Sequence, residues 1–120
     1  MNVLVVADAP WIRSEVAAAS SDFEMFEETD PERAVEACKR VNPDAVLVDL
    51  QVGSMGGMAV TRALRNAILM QEIEDTSIIL LLDRNADAFI AGRSGADAWV
   101  VKPFTPQQLR SVLTPVAAAD

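Results

Sequence analysis

Apolar residues in this chain gather in short unbroken blocks. Val3-Leu4-Val5-Val6, Ala45-Val46-Leu47-Val48, Ser77 to Leu82 and Trp99-Val100-Val101 are each followed by polar or charged residues. Blocks of this length without alternation read as strands buried on both faces of a parallel sheet, and Ser77 to Leu82 as a central one. Phe23 to Glu28 alternates Phe23 and Met25 with acids and reads as an edge strand. Between the strands the period becomes helical. Pro10 opens a helix that turns Ile12 and Val16 inward, since Pro is tolerated in a first turn. Asp30-Pro31 forms a cap and first position for a second helix ending near Val41, before Asn42-Pro43. A third helix from about Met58 carries Val60, Leu64 and Ile68 at i+4 spacing, and a short fourth from Asn85 to Arg93 closes at Gly95. Thr105-Pro106-Gln107-Gln108 is a capping box that opens a last helix on Leu109, Val112, Leu113 and Val116. There is no internal repeat, and Ala117-Ala118-Ala119 reads as a frayed end or the start of a linker.

Five strand–helix units in alternation predict an α/β three-layer sandwich over residues 1–120 as a single domain. A flavodoxin-like five-stranded parallel sheet of order 2-1-3-4-5 follows if the chain switches direction between the first and third strands. Right-handed crossovers then put helices on both faces. In such sheets ligands bind where the carboxyl ends of the strands open, and Asp8, Asp49 and Lys102 each stand just past an apolar block. Together, two carboxylates and an ammonium make a site for a divalent cation and an anion such as phosphate. Any one of them alone is as well read as a solvated charge.

Composition narrows the function. With 51% hydrophobic and 23% charged residues, the 120-residue chain suits a soluble globular domain large enough for its own core. No apolar run approaches the ~20 residues a membrane helix needs, and the amino end has no signal-peptide pattern. One cysteine allows no internal disulfide, which makes a reducing cytoplasm the default; Cys38 shares a helical stripe with Ala34, Val35 and Val41 and reads as core. The absence of histidine excludes His-based acid–base chemistry and the usual zinc sets. A formal charge of −8 without a basic stripe argues against nucleic-acid binding and suits a protein that meets basic patches on partners.

Three segments carry a family resemblance. Val-Leu-Val-Val-Ala-Asp-Ala-Pro (3–10), Pro-Asp-Ala-Val-Leu-Val-Asp (43–49) and Gly-Ala-Asp-Ala-Trp-Val-Val-Lys-Pro-Phe (95–104) resemble the receiver domain of bacterial two-component response regulators. Lys-Pro ahead of a capped helix is the most specific part. Val52 to Gly57 resembles the loop after that family's phosphoacceptor, with Gly53 where proline is usual and Gly56 where aspartate is common. The resemblance implies that Asp49 accepts a phosphoryl group from a histidine kinase or phosphotransfer protein. It implies that Asp8, Asp49 and the backbone carbonyl of Gln51 hold Mg²⁺, an ion that takes oxygen ligands and keeps several waters. Lys102 then contacts the phosphoryl oxygens as a point charge. Trp99 stands at the family's switch aromatic, although packing under the last helix would account for it equally.

Two positions depart from the family. Ala7 stands where the first of a pair of acids is usual, which removes a charge worth ~1–2 kcal/mol to the metal and weakens the site. The fourth strand lacks the family's Thr or Ser: the best register puts Leu82 there and an ungapped count puts Leu80 there, so both give leucine. Only a one-residue shift would offer Asp83, which does not replace a hydroxyl. A hydrogen bond to a charged group contributes ~1.5–3 kcal/mol, so about 10- to 150-fold of coupling is lost with it. Three readings follow. The first is a receiver phosphorylated at Asp49 but weakly switched, acting on a downstream protein partner and not on DNA or membrane. The second is a phosphorylation-independent pseudo-receiver acting as a binding module. The third, an enzyme with an aspartyl nucleophile, lacks a second acid–base residue beside Asp49 and a cap to exclude water, so the chain reads as no enzyme.

Overall fold

The apolar blocks become strands over Asn2–Val6 (β1), Glu24–Glu28 (β2), Ala45–Asp49 (β3), Ser77–Leu82 (β4) and Ala98–Val101 (β5). All neighbouring pairs are parallel and the sheet order is β2-β1-β3-β4-β5, as expected from the chain reversal between the first and third strands. The computed structural model describes residues 1–118, apart from the side chains of Ser20 and residues 116–118. The inward placement of Val116 therefore falls outside the described residues. Of the frayed end or linker expected at Ala117-Ala118-Ala119, Ala117 and Ala118 instead continue the last helix, and Ala119 lies outside the described residues. Helices cover Pro10–Ala18 (α1), Ala34–Val41 (α2), Gly57–Leu69 (α3), Ala88–Arg93 (α4) and Pro106–Ala118 (α5).

Two apolar layers sandwich the sheet. On one side Leu4, Val6, Val46, Val48, Ile78, Leu80 and Leu82 pack against α2, α3 and α4; on the other, Val3, Val5, Leu47, Ile79 and Leu81 pack against α1 and α5. Strand alternation sends successive side chains to opposite layers, which is why β1, β3 and β4 are apolar at nearly every position. Cys38 lies in the first layer at 3% exposure, as its helical stripe implied. Strand β2 is an edge strand whose Met25 and Phe26 lean into opposite layers, and its acids discourage pairing with another chain.

Local chemistry sets the helix boundaries. The Asp30 carboxylate accepts from Glu32 N at 3.0 Å and tightens residues 31–33 into a 3₁₀ turn, so the second helix starts at Ala34 rather than at Pro31. Asn42 takes a left-handed conformation (φ 51°) and ends α2 before Pro43. Thr105 and Gln108 exchange hydrogen bonds at 2.8 and 3.1 Å, which is the expected capping box at the start of α5. Among the described residues no helix is long and apolar enough to cross a membrane.

Candidate functional site

The register places the chemistry at the carboxyl edge of the sheet. Val6 is level with Val48, Asp49 with Leu81, and Leu82 with Val101, so the residues following β1, β3, β4 and β5 emerge together. Asp8 follows β1 and is exposed. Arg13 reaches back from α1 to the carbonyls of Ala7 and Asp8 at 3.4 and 3.2 Å and fixes that turn. Ala7 itself is fully buried in the apolar layer.

Asp49 ends β3, with its side chain only 2% exposed. Lys102, whose own side chain is 6% exposed, donates from Nζ to Asp49 Oδ1 and also to Asp83 Oδ1 at 2.8 Å. A backbone bond from Lys102 N to Leu82 O at 2.7 Å holds the start of this loop against β4. Asp8, Asp49 and Lys102 are thus brought to one edge, as the sequence indicated, and Asp83 joins them.

Burial acts to lower the Lys102 pKa, but the hydrogen bonds and charges of Asp49 and Asp83 outweigh it and hold the ammonium above its ordinary value. Burial likewise acts to raise Asp83, and bonds from Lys102 and Gln51 outweigh it and hold the carboxyl below its ordinary range. Lys102 and Asp83 therefore face each other as a charged pair at neutral pH. The sequence offered Asp83 only through a one-residue shift of register, as no replacement for a hydroxyl; its bond to Lys102, a partner reached only through folding, was not foreseen. The available signal was its place directly after β4, the same kind of position that singled out Asp49 and Lys102.

The loop after β3 fits close against the strand ends. A Cβ on Gly57 would lie 2.6 Å from the Asp49 carbonyl oxygen, so only glycine lets α3 start there. Gly53 has φ +52° and its N–H donates to Asp8 Oδ2 at 3.0 Å, while Gln51 Nε2 donates to Asp83 Oδ2 at 2.8 Å. Leu82 ends β4, is fully buried, and presents only hydrocarbon among the residues packed with Leu80 and Val48. Trp99 is 37% exposed and its ring reaches over Gly92 of α4.

The donors that could face a cation are all hard oxygens: the carboxylates of Asp8 and Asp49 and the backbone carbonyl of Gln51. They fit an ion such as Mg²⁺ that retains waters, with two acids rather than three. Among the described residues no group of three His, Cys, Asp or Glu side chains is arranged to hold a metal.

A five-stranded parallel α/β sandwich with an aspartate–lysine pair at its carboxyl edge defines the class, and comparison with known proteins supplies the family. The response regulator receiver domain family matches residues 3–114, and the chain belongs to it. It is 31% identical over 112 residues to the DNA-binding response regulator MtrA of Mycolicibacterium smegmatis, covering 90% of this chain and 46% of that protein. Among solved structures, it resembles the chemotaxis protein CheY4 of Vibrio cholerae (TM-score 0.81, 25% identity, 96% of this chain and 97% of that one). It also resembles the BeF3-activated N-terminal receiver domain of Klebsiella pneumoniae RstA (TM-score 0.81, 27% identity, 96% and 97%). The chain spans about half the length of the first curated relatives it matches. It is a receiver domain of two-component phosphorelay signalling, a signalling module rather than a typical enzyme.

Proposed function

We propose that residues 1–120 act as one receiver domain that accepts a phosphoryl group on Asp49 and regulates a downstream protein, with a degenerate switch. The observation that carries this reading is the Asp49–Lys102 pair, almost fully buried beside Asp8 at the carboxyl edge of the sheet. The Asp49 carboxylate oxygen forms the bond to phosphorus as the N–P bond of a phosphohistidine breaks. The imidazole leaves with the electron pair and takes a proton from water. Lys102 balances the charge that accumulates on the transferred oxygens, and its low exposure makes that charge count for more than it would in water. Mg²⁺, when bound by Asp8, Asp49 and the Gln51 carbonyl, supplies further positive charge to those oxygens. Weakened Mg²⁺ binding follows from Ala7, an apolar residue where an acid is usual.

Leu82 and Trp99 are the proposed switch positions, and Leu82 offers no hydroxyl for a phosphoryl oxygen. Output through protein contacts at α4, β5 and α5 is supported by Phe89, Ile90 and Trp99, exposed by 71, 53 and 37%. The net charge of −8 favours a partner with a basic contact face over nucleic acid. The alternative, a pseudo-receiver that binds partners without phosphate, is favoured by one observation: Asp83 already occupies Lys102.

The experiment is a map of backbone amide shifts on adding Mg²⁺ and then beryllofluoride. Shifts centred on Asp8, residues 49–57 and Lys102, abolished by Asp49→Asn, are expected. Absence of any shift there would select the phosphate-independent reading.

A further inference from the structure

Asp83 holds the place on Lys102 that an anion attached to Asp49 would need. Its Oδ1 lies 2.8 Å from Lys102 Nζ and its Oδ2 accepts from Gln51 Nε2 at 2.8 Å, so one carboxylate bridges the loops that follow β3 and β4. The two carboxylates on this ammonium differ in access to water: the Asp49 side chain is 2% exposed and that of Asp83 34%.

A phosphoryl group on a side-chain oxygen carries ~−1.5 to −2 charge near neutral pH. One ammonium cannot neutralise such a group and Asp83 together, and two anions around a poorly hydrated cation repel each other strongly. The carboxylate with a route to solvent leaves at lower cost. Asp83 directly precedes Arg84, whose backbone N–H donates to Asp87 at 3.1 Å and whose guanidinium donates to it at 3.2 Å, and these bonds shape the turn into α4.

We propose that Asp83 is a positioning residue and a resident competitor at the acceptor site: it fills the anion position on Lys102 until a phosphoryl group displaces it, and its release loosens the turn at residues 84–87. This rests on the reading of Asp49 as a phosphoacceptor. It supplies a local route from the site to α4 that needs no hydroxyl at Leu82. Since β4 itself need not move, Trp99 takes little part.

The test compares the wild-type domain with Asp83→Asn, which keeps the shape, and Asp83→Ala, which removes the contact. The position is exposed, so both are expected to fold. Each is titrated with beryllofluoride in saturating Mg²⁺, read by amide shifts. Both variants should bind about 10-fold or more tightly than wild type, the scale of one charge-assisted hydrogen bond. The gain should persist in ~1 M salt, where the Debye length is ~3 Å and through-space repulsion is screened. The amides of residues 84–87 in unliganded Asp83→Ala should already sit where beryllofluoride brings them in wild type. Equal affinities, a gain that vanishes at high salt, or amides 84–87 that move in Asp83→Ala only on ligand addition would overturn this proposal and leave the phosphoacceptor reading standing. Failure of all three proteins to bind beryllofluoride would defeat that reading and this proposal with it.

Discussion

Gly53 N–H donates to Asp8 Oδ2 at 3.0 Å, which ties the loop after β3 to the turn after β1. Proline, usual at this position in the family, has no N–H to give and cannot adopt the φ of +52° seen here. The glycine thus changes how a candidate metal ligand is held: one oxygen of Asp8 is oriented by backbone rather than left to solvent.

Gly53→Ala should lower stability by about 1–3 kcal/mol, the cost of a non-glycine residue at positive φ. Its Cβ would also meet Pro31 Cγ at 2.9 Å. Urea unfolding measures this. A loss well under that range would mean the loop relaxes freely and does not hold Asp8.

Ala7→Asp probes the missing acid. The site is fully buried in an apolar layer, so the new carboxylate should cost about 1–3 kcal/mol without metal. Mg²⁺ binds only the folded site and should restore part of that loss by mass action. The rise in Tm on adding Mg²⁺ should therefore be larger in the variant than in the wild type. Equal rises would show that position 7 does not face the ion.

Much of this was legible in the chain. β4 was bounded correctly at Ser77 and Leu82 because its apolar run ends abruptly in Asp83-Arg84, and the Thr105–Gln108 capping box is purely local chemistry. Asp8, Asp49 and Lys102 were found because position after a strand is enough to place them on one edge. The start of α2 was missed because the Asp30 cap tightens the first turn instead of extending the helix. The bond from Lys102 to Asp83 and the reach of the Trp99 ring over Gly92 were not legible because each depends on how β5 packs against its neighbours, β4 for one and α4 for the other.

The Cys38 thiol gives a prediction for alkaline pH. Burial pushes its pKa up from 9.0 to about 11. A folded-state pKa raised in this way means that stability is complete below about pH 9 and falls as pH rises toward 11, by about 2–3 kcal/mol. Lys102, raised above its ordinary 10.5 by its two carboxylates, has the same sign and loses its contribution at still higher pH. Urea midpoints at pH 7 and pH 10 should therefore fall less for Cys38→Ala than for wild type. At neutral pH the thiol should resist alkylation until the protein unfolds; rapid labelling of the native state would contradict the placement.

Leu82→Thr tests the switch. It should cost about 2–4 kcal/mol, because a fully buried leucine is lost and a hydroxyl takes its place. Leu82 shares a layer with Val48, one residue out of step with Asp49, so the new hydroxyl meets a phosphoryl group only if the end of β4 turns. A switch at Leu82 then predicts that Trp99 fluorescence responds to Mg²⁺ with beryllofluoride in the variant and changes little in wild type, since a ligand shifts a two-state balance only by its differential affinity. A large Trp99 response in the wild type would identify an ordinary phosphoswitch.

The most direct measurement is the intact mass of the protein after incubation with acetyl phosphate and Mg²⁺. The account predicts a single phosphoryl adduct that is sensitive to hydroxylamine and absent in Asp49→Asn. An adduct that survives Asp49→Asn, or no adduct under conditions that modify other receiver domains, would contradict it.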